Sequence, residues 1–295
     1  MALHAPGLDH IVVDARDRMD EAVRVYRSLG FQMTERSRHT LGSVNHLAVF
    51  ETDYMELLGF DPAGETVRPD LLEWPVGLNG LVFTLDEPEE LHRDLQRRGV
   101  PVNEVQSFSR PVNLGGGVSQ DAKFRVVRLR AGTATFGRVY FCHHLTPELI
   151  WRPEWQSHPN GARSVARIQI AAGDPAGAAG LCIRMFGRLF GPEAVREGSD
   201  GFNQSNQSNG SWALTAGNVS VDFVTHNELS ERYGDFAPDP AGRADYMAAL
   251  TIRTASLTAA AQALEAGGVA GARVEERRIA VPAAAAMNVA LEFVE

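Results

Sequence analysis

Apolar and polar residues alternate along this chain in two periods, and the switch between them recurs four times. Leu8-Asp9-His10-Ile11-Val12-Val13 has the composition of a strand. Ala22, Val25, Tyr26 and Leu29 then fall on one face of a helix that Gly30 ends, and Phe31-Gln32-Met33 resumes extended structure. The same succession returns at Leu78 to Phe83, where Asp86-Glu87-Pro88 opens a helix that carries Leu91 and Leu95 to Gly99. It returns again at Val165 to Ile170, with Asp174 as N-cap, Pro175 in the first turn and Gly187 as the stop. The fourth copy is Met247 to Ile252, followed by a helix through Leu257, Ala261 and Leu264 to Gly267-Gly268. The interval from the third residue of the strand to the glycine is nearly constant: His10 to Gly30, Gly80 to Gly99, Arg167 to Gly187, Ala248 to Gly268.

Each copy also closes on a similar strand. These are Met55-Glu56-Leu57-Leu58, Val139-Tyr140-Phe141-Cys142, Val221-Asp222-Phe223-Val224 and Leu291-Glu292-Phe293-Val294. A hairpin-like stretch precedes most of them, at Asn45–Tyr54, Phe124–Arg138 and Ser211–Asn218, and it is least clear in the last copy. The expected fold class is α+β: four βαβββ-type modules forming two cupped mixed sheets flanked by helices. Thr146 to Ala162, with Pro147, Pro153, Pro159 and Gly161, reads as a connection, and its Trp151 and Trp155 are expected to pack on a domain. This divides the chain into 1–148, a linker at 149–162, and 163–295.

Composition narrows the partners. A net charge of −9 disfavours nucleic acid, which needs a basic face. The two cysteines, Cys142 and Cys182, suggest no disulfide framework. No apolar run approaches the ~20 residues that span a bilayer, and no leader pattern precedes the first strand. The sequons at Asn203, Asn206 and Asn209 then read as a polar loop. The expectation is a cytoplasmic protein with a small-molecule ligand and neither nucleic-acid nor membrane partners. A homodimer is compatible with the sequence, although four modules can complete both cups within one chain.

The repeated module, together with Leu8-Asp9-His10-Ile11-Val12-Val13, Arg38-His39-Thr40-Leu41-Gly42, Asn45-His46-Leu47 and Tyr54-Met55-Glu56-Leu57-Leu58, resembles the vicinal-oxygen-chelate superfamily, which includes glyoxalases and extradiol dioxygenases, and in particular its glyoxalase-like domain branch. The resemblance implies metal ligands from the first and last strands of each module, facing the cup. Those positions hold His10 and Glu56, Gly80 and Tyr140, Arg167 and Asp222, Ala248 and Glu292. Neither pair of modules reproduces the family's full ligand set, which argues against glyoxalase activity proper.

Strand parity suggests how a site is completed. A hairpin turning at Glu51–Asp53 pairs Phe50 with Tyr54 and Ala48 with Glu56, which puts His46 on the face of Glu56. His144 shares the face of Tyr140, and His143 points away. The candidate metal ligands are thus His10, Glu56, His46 and His144, and two histidines with a carboxylate suit Fe, Zn, Ni or Mn. His10, Glu56 and Tyr140 are the candidate catalytic residues. Without metal, His10 and Glu56 remain an acid–base pair. Arg128 and Arg130, sharing one face of a strand that also holds Arg125, are candidates to clamp a substrate carboxylate, with Tyr54 beside them. Arg167 is expected to neutralise an acid of the second cup, making that cup a polar structure held by Arg–carboxylate pairs. Leu114-Gly115-Gly116-Gly117 lacks the residues of a phosphate loop and is expected to cover the mouth of the cup, with Phe202–Ser211 as a second loop. Two functions follow: a superfamily enzyme acting on a small oxygenated molecule by metal-assisted isomerase, lyase or ring-cleavage chemistry, or a metal-free protein that binds or sequesters a small molecule.

Overall fold

The first strand sets the geometry of its half of the chain. In the computed structural model, which describes residues 7–61, 69–186, 195–197 and 211–295, β1 (Leu8–Arg16) is buried along almost its whole length. A strand buried on both faces lies at the centre of a sheet. Accordingly β1 pairs in parallel with β4 (Tyr54–Gly59) and antiparallel with β5 (Gly77–Thr84). Between β1 and β4 come α1 (Met19–Ser28), β2 (Ser37–Arg38) and β3 (Val44–Val49). After the short α2 (Pro69–Leu72) and β5, the second module runs through α3 (Pro88–Arg97), β6 (Gln106–Gly115), β7 (Val118–Arg128) and β8 (Arg138–His144). The resulting eight-stranded sheet has the order β2-β3-β4-β1-β5-β8-β7-β6.

The second half repeats this order strand for strand. Its elements are β9 (Ala162–Ala171), α4 (Pro175–Phe186), β10 (Val195–Glu197), β11 (Trp212–Ala216), β12 (Val219–Val224), α5 (His226–Tyr233), β13 (Tyr246–Thr254), α6 (Leu257–Ala266), β14 (Arg273–Val274), β15 (Ile279–Val281) and β16 (Ala290–Val294). The sheet order is β10-β11-β12-β9-β13-β16-β15-β14. All four modules are therefore strand, helix, three strands, and the hard-to-read pair of the last one is β14 and β15, only two and three residues long. Asp174 caps α4 as expected, its Oδ1 accepting the Gly177 amide at 3.0 Å. Gly187, residues 202–210 of the second expected loop, and with them the sequons at Asn203, Asn206 and Asn209, lie outside the described residues.

Helices α1, α3, α4 and α6 gather between the two sheets. Ile11 and Val13 of β1, Ile168 and Ile170 of β9, and the buried faces of α1, α3, α4 and α6 belong to one continuous core. Phe31 stacks on Phe293 at 5.9 Å, and Phe83 meets Phe186 at 4.6 Å. Gly30 takes φ +83°, and a Cβ there would lie 2.7 Å from Ala263, so the turn after α1 can sit directly on α6 only as glycine. The opposite face of each sheet curves away from this core into a cup.

The first cup is nearly closed on itself. The edge strands β2 and β6 meet: the Thr40 amide donates to the Ser109 carbonyl at 3.0 Å and Ser37 Oγ to the Pro111 carbonyl at 2.6 Å. The linker seals one side with two short helical turns, and its Trp151 packs on Tyr54 and His144. Leu114–Gly117 is the tip of the β6–β7 hairpin; Leu114 packs against the apolar cluster of the cup, and none of the four residues lines the cavity itself.

Candidate active site in the first cup

A cavity of about 390 Å³ occupies this cup. Leu47 and Leu58 line its wall, with Val12 and Val82 in the apolar cluster around it, and Phe108, Phe124 and Tyr54 add aromatic surface. At its centre, His10, Glu56 and Tyr140 come together from β1, β4 and β8. His10 Nε2 is 3.2 Å from the Tyr140 hydroxyl and 3.8 Å from Glu56 Oε2. The Tyr54 ring stacks on the imidazole at 4.4 Å, and all four side chains are buried.

The other nitrogen of His10 is held by a residue that strand parity hides. Asp9 precedes His10 and in a regular strand would point to the opposite face. A bulge prevents this: Leu8 pairs with Phe83 and His10 with Val82, so Asp9 is an extra residue in the ladder. Its carboxylate takes His10 Nδ1 at 2.5 Å and His144 Nε2 at 3.1 Å. Burial alone would raise the Asp9 carboxyl, but His144 and His10 hold it far below the usual carboxylate range. An anionic Asp9 places the proton of a neutral His10 on Nδ1 and turns the bare Nε2 towards Tyr140 and the cavity.

Glu56 is held as an anion by its surroundings. Burial opposes ionisation, and His39, His10, a hydrogen bond from Asn45 and the more distant Arg110 together bring the carboxyl below its ordinary value. Asn45 Nδ2 donates to Oε1 at 2.7 Å, and His39 Nε2 lies 3.7 Å from the same oxygen. Burial pushes the phenols of Tyr140 and Tyr54 upward, so both keep their protons.

His46 is not in the cup. The β3–β4 connection is four residues long: Val49 pairs with Tyr54, and Leu47 with Glu56. This one-residue slip from the expected register turns His46 outward, where Nδ1 meets the Thr34 carbonyl at 2.7 Å and Nε2 accepts from Arg36 at 3.2 Å. The same slip brings Asn45 inward, and His39 takes the place beside Glu56 that parity gave to His46. His144 shares the side of Tyr140 but lies in the wall behind His10, against Asp9, Phe124 and Trp151. His143 turns away to the Leu85 carbonyl at 2.8 Å.

Of the expected clamp, Arg128 and Arg130 both line the cavity. Arg128 spans the rings of Tyr140 and Phe108 and bonds Gln106, whereas Arg130 is exposed and donates to the Val102 carbonyl at 2.9 Å. Arg125 faces out and pairs with Glu89. The residues that the sequence reading missed are Asp9, His39, Asn45 and Arg110. Arg110 rides on β6, where Phe108, Arg110 and Val112 alternate inward; that alternation was readable, but Pro111 in its midst argues against a strand.

The donor set tests whether a family-type metal centre fits. Gly80 has no side chain, and a Cβ there would lie 2.5 Å from that of Val12, so no ligand can be placed at that position while Val12 stands opposite. Tyr140 keeps its proton, and His46 is outside. His10 Nε2, Glu56 and His39 Nε2 remain on the cavity, but the two histidines approach opposite oxygens of Glu56, and the three do not gather within 4.8 Å of one another as ligands of one ion must. Among the described residues, three donor atoms fall within 4.8 Å of one another at Asp9, Cys142 and His144. There Asp9 is already engaged by both histidines, and burial keeps the Cys142 thiol protonated. This trio is a candidate metal site, but it is not the family's centre.

The second cup holds its acids differently. Asp222 pairs with Arg167 at 3.1 Å, and fully buried Glu292 takes Arg278 at 2.6 Å, Arg232 at 2.8 Å and Thr251 at 3.1 Å. Helix α5 enters this cup, with Leu229 and Tyr233 packed on Ala248, Ala249 and Ala290, and the Tyr233 hydroxyl on Gln169. A bulge between Met247 and Ala249 makes Ala249, which pairs with Gln169 as Gly80 pairs with Val12, the counterpart of Gly80; the repeat spacing had pointed to Ala248.

Known proteins agree with this architecture. The profile of a family described as "Glyoxalase-like domain" matches residues 8–185, more than half of the chain. Among solved structures, a hypothetical protein from Staphylococcus aureus superposes with a TM-score of 0.65 at 10% identity, covering 98% of both chains. A triple mutant of 4-hydroxymandelate synthase from Streptomyces coelicolor gives 0.57 at 12% identity over 98% of this chain and 92% of that one. A fusion of a xylose isomerase-like TIM barrel with 4-hydroxyphenylpyruvate dioxygenase gives 0.58 at 12% identity, covering all of this chain and 50% of the other. At such identities these likenesses concern the fold. No curated protein matches the sequence significantly. The fold and the family profile together make this chain a member of the glyoxalase-like domain family of the vicinal-oxygen-chelate superfamily.

Proposed function

We propose that the protein is an enzyme that moves a proton on a small oxygenated molecule bound in the first cup, with His10 as the proton-transfer group. The observation that carries this reading is the Asp9–His10–Tyr140 chain of hydrogen bonds beside the cavity. Asp9 fixes the tautomer and the ring, leaving Nε2 as a base. When a substrate C–H or O–H proton moves to Nε2, the new imidazolium lies between two carboxylates, Asp9 and Glu56. The negative charge left on the substrate oxygen takes a hydrogen bond from the Tyr140 hydroxyl, which is released from His10 as Nε2 is protonated. Return of the proton to a neighbouring atom is an isomerisation; loss of a leaving group instead is a lyase reaction. The likeness to a synthase and a dioxygenase is one of fold, and the donor set here gives no support for dioxygenase chemistry.

The test is solvent-deuterium exchange into a panel of small α-hydroxy and α-keto compounds, followed by NMR. The reading expects exchange with at least one compound, slowed about 10²- to 10⁴-fold in His10→Ala with the fold intact. Exchange that is equal in His10→Ala sinks it. Stoichiometric divalent metal that leaves with His10→Ala would replace it with the metal-assisted reading, and tight binding without exchange would favour the sequestering one.

A further inference from the structure

We propose that the first cup contains an anion subsite built on Arg110, and that its ligand is a small, largely apolar organic carboxylate. This rests on the cup as the binding site, as the reading above does, but not on the chemistry of His10.

Arg110 is 4% exposed and lines the cavity, and its Nη2 has no hydrogen-bond partner. Among the described residues it makes no ion pair. An arginine keeps its charge under all ordinary conditions, and an unpaired buried charge is among the costliest features a fold can carry. Burial already weakens the hold of this guanidinium on its proton. Glu56, the acid of the cup whose charge reaches Arg110, has its oxygens engaged by other groups: Oε1 receives Asn45 and faces His39, and Oε2 faces His10. A positive charge is thus left on the wall of the cavity.

A second unmet group lines the same cavity. Both amide protons of Asn45 are directed to Glu56 and His39, and its Oδ1 is buried without a partner. An unmatched donor and an unmatched acceptor in one cavity describe a ligand with an acidic oxygen for Arg110 and a hydroxyl for Asn45. Polar residues such as Gln106 and Arg128 share the remaining wall, but most of its surface is apolar, from residues such as Phe108, Phe124, Tyr54 and Leu47. Arg110 beside the Glu56 carboxylate suits a single negative charge. A doubly charged phosphate would meet more repulsion from Glu56. Carboxylate is therefore the favoured head group, on an apolar body that a cavity of about 390 Å³ accommodates.

The experiment uses benzoate and its uncharged analogue benzamide, with inorganic phosphate as a third probe, titrated calorimetrically into the full chain. Wild type is expected to bind benzoate at least tenfold more tightly than benzamide and to bind phosphate weakly. Arg110→Met should erase the preference while leaving benzamide binding unchanged; Arg125→Met, on the outer face, should keep it. If Arg110→Met does not fold, Arg110→Lys serves in its place, with benzoate binding weakened severalfold and benzamide unchanged. Equal binding of benzoate and benzamide by wild type overturns the proposal, as does a preference that survives at position 110 or phosphate binding tighter than that of benzoate. A benzoate preference retained in His10→Ala, with no proton exchange in any variant, supports the subsite and removes the proton-transfer reading. Exchange without charge preference does the reverse.

Discussion

The two cups share a strand order and differ in what fills them. In the first, the four equivalent positions hold His10, Glu56, Gly80 and Tyr140 around an open cavity. In the second, they hold Arg167, Asp222, Ala249 and Glu292, every acid has an arginine, and α5 occupies the space. Duplication of a fold does not duplicate a site. The second cup has spent its charged residues on one another, whereas the first leaves an imidazole nitrogen, a guanidinium nitrogen and an amide oxygen facing a cavity. The first cup is thus the place to look for chemistry.

The sharpest way to break this comparison is to remove the matching carboxylates. Glu292→Ala leaves Arg232 and Arg278 without their shared partner and is expected to cost about 3–5 kcal/mol, as breaking a buried pair does. Glu56→Gln keeps much of the hydrogen bonding of its site and should cost well under half of that in stability while impairing whatever the cup does. Urea unfolding of both variants measures the difference. Equal losses would mean that the first cup is also built for stability.

Filling is the next distinction. Leu229→Ala removes a buried contact of α5 with the second cup and is expected to lose about 2–4 kcal/mol without changing ligand binding in the first cup. A smaller effect is expected at the paired positions on the inner strands. Gly80→Ala forces a Cβ against Val12 and should cost about 1–3 kcal/mol, while Ala249→Gly should cost about 1 kcal/mol. Thermal unfolding ranks the two, and an equal or reversed order would show that the first cup can take a side chain there.

Much of this was legible in the sequence because it is local and repeated. The four modules, their helices and the glycine stops after α1, α3 and α6 follow from periodicity and spacing, and the meeting of His10 with Glu56 is what the family resemblance implied. What was hidden depends on contacts across the chain. The turn after β3 takes four residues because the second half pins it: the Glu51 amide donates to the Arg163 carbonyl and the Val165 amide to Asp53 Oδ1, both at 2.9 Å. No local signal reveals that, and the slip it produces exchanged His46 for Asn45 and His39. The bulge that turns Asp9 inward has the same character, since a parity argument assumes a regular ladder. Arg110 was lost for another reason, because β6 closes the cup as an edge strand and so tolerates Pro111.

The pinned turn makes the two halves answer to pH together. Burial raises the Asp53 carboxyl to about 7, against the hydrogen bonds from Val165 and Thr52 and the charge of Arg253, with Asp9 adding to the rise. A carboxyl raised in the fold keeps its proton there while the unfolded chain releases it, so the folded state binds more protons between the ordinary value of 3.8 and about 7. Stability therefore falls as pH rises through this window, by up to about 1.4 kcal/mol per pH unit, and is level above it. Asp53→Asn keeps an acceptor for the Val165 amide but has no proton to lose, and should flatten the slope while leaving the order of the preceding variants unchanged. Thermal unfolding at pH 5, 6, 7 and 8 (wild type beside Asp53→Asn) measures it. Parallel curves for the two proteins would place the pH response elsewhere and leave the turn as a purely geometric link between an open cup and a filled one.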